Sequence, residues 1–137
     1  MTIKDHLEHC IDDVGMQLGK VYEGLDEAHY DHRVCPQAMS PREILEHLCE
    51  CYTAVITETS GGTHEWGSFS IEDKSAANLK AKLSELRGQA KRAALAASDP
   101  KIGHAYIVSH DAYHVGQMAL VRLNTDPNWN PYSLYGH

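Results

Sequence analysis

The sequence predicts an all-α protein, an antiparallel four-helix bundle. Four segments carry apolar residues at alternating spacings of three and four, the period of one helix face. Capping and breaking residues separate them: SPRE at Ser40 to Glu43, Gly61-Gly62, and Ser98-Asp99-Pro100. No useful run alternates apolar with polar as a half-buried strand does, and no segment repeats. Four such helices with modest connections bury their stripes against one another in antiparallel order. The length of 137 residues suits a single domain over 1–137 with one hydrophobic core.

The first helix is expected over 3–28. Leu7, Ile11, Val14, Leu18, Val21 and Leu25 form its stripe, while Asp12, Asp13, Gln17, Lys20 and Glu23 lie mostly off it. Gly15 and Gly19 each weaken the helix by about 1 kcal/mol relative to Ala. The second helix is expected over 41–59. Ser40 is its N-cap, Pro41 its first residue and Glu43 the capping-box partner. Ile44, Leu48, Cys51 and Val55 form its stripe, with His47 and Ile56 on the flanks, and the glycine pair ends it. The third helix is expected over 73–97, through Leu79, Leu83, Leu86, Ala90, Ala93 and Ala97. Its alanines favour helix and let a neighbouring helix approach closely. The fourth is expected over 102–123. The tail, 124–137, holds two prolines and three aromatics, and is expected to pack along the bundle without forming a helix.

Composition narrows the function. A formal net charge of −7 without a Lys/Arg cluster argues against nucleic acid, whose phosphates need basic partners. It argues equally against anionic membrane surfaces. No apolar run approaches the roughly 18 residues of a membrane span. The start, MTIKDHLEHC, lacks an apolar signal segment, so a cytoplasmic location is the expectation. Cys10, Cys35, Cys49 and Cys51 match neither a zinc ribbon nor a C-x-x-C redox motif. Reduced thiols packed as small hydrophobes are expected.

Histidine is the unusual residue, with ten in the chain. On the fourth helix the stripe reads Ile107, His110, His114, Gln117, Val121, which sets two imidazoles one above the other on an inward face. Buried polar groups need partners, and a divalent cation is one that several imidazoles can share. His47, beside the stripe of the second helix, is the candidate third ligand. A His47/His110/His114 set leaves a coordination position open, the mark of a catalytic rather than a structural site. Gln117 is the candidate for orienting a bound water or a ligand amide. Cys51, one turn after His47, is read foremost as a small buried apolar residue, with a fourth ligand or a reactive thiol as the alternative. Asp111 either holds an imidazole in one tautomer or is solvated on the helix flank. Tyr113 and Trp66 are read as core aromatics that could also wall a pocket. His104 could reach the cleft mouth. His29, His32, His6, His64 and His137 carry little weight as ligands. HDAYH superficially resembles the H-E-x-x-H of zinc peptidases, but Asp stands for Glu and the supporting sheet is missing.

The stretches SPREILEHL and HDAYHVGQMALVRL, with a long helix between them, make the sequence similar to the DinB/YfiT-like family of metal-binding four-helix bundles. The resemblance extends from the first helix to about Asn124. It implies a triad of His47, His110 and His114 around Ni or Zn, with Fe or Mn as alternatives. It also implies a homodimer and, in the transferase branch, a low-molecular-weight thiol that attacks an electrophilic substrate. The expected function is thus a metal-dependent enzyme that activates a thiol or water. The alternatives are a non-enzymatic metal- or ligand-binding stress module and a purely structural bundle. The residues present no second inward Glu as a dedicated general base, which favours thiol chemistry or binding over hydrolysis.

Overall fold

Thr2 opens the first helix. Its side chain accepts from the Asp5 N–H at 3.1 Å while the Asp5 carboxylate accepts from the Thr2 N–H at 2.9 Å. The computed structural model describes residues 1–136; His137, the last residue of the expected tail, lies outside the described residues. Among the described residues every regular element is helical. Helix α1 is Ile3–Tyr22. It ends well before residue 28 because Glu23 turns extended and Gly24 takes a φ of +71°, a left-handed conformation that suits glycine. Arg122 also receives the chain there, donating to the carbonyls of Val21 at 3.1 Å and Glu23 at 2.7 Å. Asp26 then caps a short 3-10 turn, Glu27–His29.

Helix α2 is Pro41–Thr59, with the boundaries and capping box expected from SPRE. Ser40 Oγ accepts from the Glu43 N–H at 3.2 Å, and Glu43 accepts from the Ser40 N–H at 3.1 Å. Helix α3 is Ala76–Ala96; it starts after residue 73 because Ser75, not Asp73, caps it. Asp73 instead accepts from the Ser75 N–H in the preceding turn. Leu79, Leu86, Ala90 and Ala94 face inward, so Ala94 takes the place expected for Ala93.

The fourth helical segment, α4, spans 101–125 and is not uniform. It starts as Lys101–Gly103, widens into a π-helical stretch, His104–Ser109, and continues as α-helix over His110–Thr125. Helix α2 lies along α3, and α1 lies along α4. Gly103 is where α4 comes nearest to α3: a Cβ there would sit 2.9 Å from Ala94 Cβ and 3.2 Å from Leu7 Cδ2. Ile11, Ile44, Leu48, Leu79, Ile107 and Met118 make up the most deeply buried part of the core, drawn from all four segments. Full burial of each such side chain contributes roughly 1.5–3 kcal/mol.

The tail contains one 3-10 element, Pro131–Tyr135, resting on α1. Trp129 and Leu134 pack against the core, and the Arg122 guanidinium lies 5.5 Å from the Trp129 ring centre. No helix among the described residues is long and apolar enough to cross a membrane.

Candidate metal centre

The π-helical stretch shifts the inward row of α4. From Ile107 onward the buried positions are Ile107, Asp111, His114, Val115, Met118, Val121 and Arg122. His110 and Gln117, read from spacing as inward, are half-buried at the edge of that row. Asp111 takes the deep position expected for His110 and is fully buried. A π turn holds more residues per turn than an α turn, so the strict three-four register does not carry across it.

The three expected histidines still come together. His110 Nε2 lies 3.2 Å from His47 Nε2 and 3.1 Å from His114 Nε2. The three rings meet edge to face, with centres 4.5–5.1 Å apart. Gln117 does not point into this cluster. Its Oε1 stands 2.7 Å from His114 Nδ1, and its amide nitrogen donates to the Tyr113 hydroxyl at 3.1 Å. A carbonyl oxygen only accepts, so His114 Nδ1 carries the ring proton and Nε2 presents a bare lone pair to the cluster. The expectation that Gln117 orients a bound water is therefore replaced by a contact that fixes an imidazole tautomer.

His110 is the unbalanced member. One ring nitrogen offers either a single N–H or a single in-plane lone pair, so Nε2 cannot bond both neighbouring imidazoles at once. Its Nδ1 is buried with no hydrogen-bond partner. Buried polar groups left in this state are costly, and a cation at the convergence of the Nε2 atoms relieves the crowding there. Burial is the first cause holding all three imidazoles below their ordinary range. Repulsion from His47 adds to this at His110, and His114 is taken down to about 4. Neutral rings are the metal-binding form.

Cys51, weighed in the sequence mainly as apolar filling, sits in the same cluster. Its Sγ lies 3.6 Å from His47 Nε2 and 3.9 Å from His110 Nε2. The donor atoms of His47, Cys51 and His110 all lie within 4.8 Å of one another, close enough to hold a metal ion. His114 joins this set through His110. Burial pushes the free Cys51 thiol up to about 12, helped by the negative charges of Asp111 and Glu50.

Asp111 serves neither role expected of it. One carboxylate oxygen accepts from the Tyr52 hydroxyl at 2.8 Å and the other from Arg87 Nε at 3.1 Å. Arg87 also donates to the Ile11 carbonyl at 2.7 Å. This network joins α1, α2, α3 and α4 beside His110 and holds the rotation of the helix that carries His110 and His114. Burial lifts the Asp111 carboxyl to about 6 against the pull of Arg87 and Tyr52, so it is ionised at neutral pH. Tyr113 and Trp66 are both exposed rather than core aromatics. Tyr113 stands edge-on to His114, and Trp66 lies between the His64 and Tyr106 rings.

Glu50 is an acid that no sequence pattern singles out. Its carboxylate meets buried His64 Nε2 at 3.1 Å and accepts from the Gly67 N–H, which holds the 61–75 loop to α2. Only a contact across 14 residues of chain creates this pair, and no local motif marks it. His104 is exposed and lines a separate cavity with His6, Leu7 and Cys10. His29 is half-buried, and His32 bonds the Asn124 side chain. A cavity of about 840 Å³ between α1 and α3 is lined by Gly15, Gly19, Lys80 and Arg87, but by none of the clustered histidines.

No family model, curated protein or solved structure matches the chain.

Proposed function

We propose that the protein is a metal-binding antiparallel four-helix bundle of the DinB/YfiT-like kind, with His47, His110 and His114 holding one divalent ion. The observation that carries this reading is the meeting of three imidazole Nε2 atoms, with His110 Nε2 within 3.2 Å of both others. Ligands 2.0–2.1 Å from a tetrahedral zinc lie about 3.3–3.4 Å apart, so the His47–His110 and His110–His114 pairs stand near ligand spacing. Imidazole donors favour Zn or Ni, with Fe next and Mn the weakest fit. When bound, such an ion acidifies a coordinated water or small thiol.

The chain's own residues supply the rest. Gln117 keeps the His114 lone pair turned to the cluster. The Asp111–Arg87–Tyr52 network holds α4 against rotation. Exposed Tyr113, edge-on to His114, offers apolar surface for an electrophilic substrate of a thiol transfer. A homodimer in the cytoplasm, as in the resembling family, completes this reading. The second reading is a non-enzymatic metal-binding module, favoured by the burial of Cys51 and His114 at 2% exposure each.

Metal analysis of untagged protein tests the proposal, with about one divalent ion per chain expected. A ligand present at 100 times its Kd adds about 2.7 kcal/mol of stability. At an unfolding entropy of about 2.1 cal/mol/K per residue, that raises Tm by roughly 9 °C for this chain. His114→Ala should fold and lose the rise; an unchanged metal-dependent rise in that variant refutes the ligand set. Turnover that depends on both metal and a low-molecular-weight thiol separates the enzyme from the binding module.

A further inference from the structure

We propose that Cys51 is the fourth protein ligand of this centre, so that His47, Cys51, His110 and His114 form a closed site of three nitrogens and one sulfur for a thiophilic ion such as zinc. The inference rests on the three-histidine reading and extends it. The geometry is the argument. With zinc–nitrogen bonds of 2.0–2.1 Å and a zinc–sulfur bond of about 2.3 Å, a tetrahedral shell separates its nitrogen and sulfur atoms by about 3.5–3.6 Å. Cys51 Sγ lies 3.6 Å from His47 Nε2 and 3.9 Å from His110 Nε2.

Two helices supply the four donors. His47 and Cys51 are one helical turn apart on α2, and His110 and His114 are one turn apart on α4. Each helix thus supplies a stacked pair, and the two pairs face each other. Cys51 is 2% exposed, and its Sγ neighbours in the cluster are the His47 and His110 imidazoles. On ligation the sulfur–hydrogen bond breaks, the sulfur–metal bond forms with the sulfur's electron pair, and the proton leaves to solvent.

The consequence concerns reaction class. The sulfur fills the coordination position that a three-histidine site would leave to water or an external thiol. The shell is then complete in the manner of a holding site, and an incoming ligand must displace Cys51. Thiolate also biases the site toward zinc and away from manganese.

The test uses metal-free full-length protein loaded with one equivalent of cobalt(II). Wild type should show tetrahedral visible bands together with a near-ultraviolet sulfur-to-cobalt charge-transfer band. Cys51→Ser and Cys51→Ala should keep the visible bands, lose the charge-transfer band, and bind zinc at least about tenfold more weakly in chelator competition. Visible bands without charge transfer in wild type, or unchanged zinc affinity in both variants, overturn the Cys51 ligand and leave the three histidines standing. No cobalt or zinc binding by wild type overturns both readings. If the variants fail to fold, X-ray absorption at the zinc edge of wild type decides: one sulfur neighbour beside the nitrogens supports the proposal, and none overturns it.

Discussion

Replacing Asp111 with Asn removes the charge of a fully buried carboxylate but almost none of its volume. The neutral amide can turn its Oδ1 to Arg87 Nε and donate to the Tyr52 hydroxyl oxygen, but it leaves the Arg87 guanidinium without its counter-charge where an ion pair stood. Breaking a buried pair in this way costs about 3–5 kcal/mol. The Arg87 side chain keeps 15% exposure, and water can take over part of its solvation, so the lower end of about 3 kcal/mol is expected. At an unfolding entropy of about 2.1 cal/mol/K per residue, the 137-residue chain should lose roughly 10 °C in Tm. Tyr52→Phe removes only one hydrogen bond to the charged oxygen and should cost about 1.5–3 kcal/mol. Because the two side chains touch, the double variant should cost less than the two single losses combined. Urea titration of the metal-free variants measures all three values. An Asp111→Asn loss below about 1 kcal/mol, or strict additivity with Tyr52→Phe, refutes the idea that this network clamps the four helical segments.

Gln117→Ala should leave one ion per chain at saturating metal but weaken zinc affinity about 10- to 100-fold, as chelator competition reads it, because His114 loses the contact that fixes its tautomer. Ser40→Ala should lower stability by about 1 kcal/mol in a denaturant titration, since the Glu43 N–H loses the Ser40 Oγ acceptor while the backbone half of the capping box remains. Gly103→Ala places a methyl 2.9 Å from Ala94 Cβ. The crowding costs about 1–3 kcal/mol and the gain in helix propensity returns about 1, so a net loss is expected. A stabilised Gly103→Ala variant in thermal unfolding contradicts the close approach of α3 and α4.

Local signals made α2 legible to the residue. Ser40, Pro41 and Glu43 act within one turn, and Gly61 takes the left-handed φ of +88° that terminates it. The end of α1 was not legible in the same way. Leu25 continues the apolar period and is indeed buried, but it is buried from a turn, because Gly24 and the Arg122 side chain end the helix first. Periodicity reports which residues face the core; it does not report whether the chain is still helical there. In α4 the four-residue spacing correctly paired His110 with His114. The depth of each residue depended on a π-helical stretch that no residue pattern announces. Spacing left Asp111 open between an imidazole's tautomer partner and a solvated flank residue, and it lies fully buried in the Tyr52–Arg87 network instead. Cys51 shows the limit from the other side. Its spacing from His47 was plain, but its partners across the cluster come from a helix almost sixty residues away.

The π-helical stretch makes α4 behave as two rods of different pitch joined at His110. The first rod seats Gly103 and Ile107 against Leu7 and the core; the second carries both ligand histidines toward α2. The joint works like a vernier, setting the phase of one scale against the other. Substitutions in the first rod can improve its seating on α1 while the histidines keep their bearing on His47. An insertion or deletion of one residue within 104–109 instead turns the entire ligand face by about a quarter of a revolution. The stretch should therefore tolerate changes of residue type far better than changes of length.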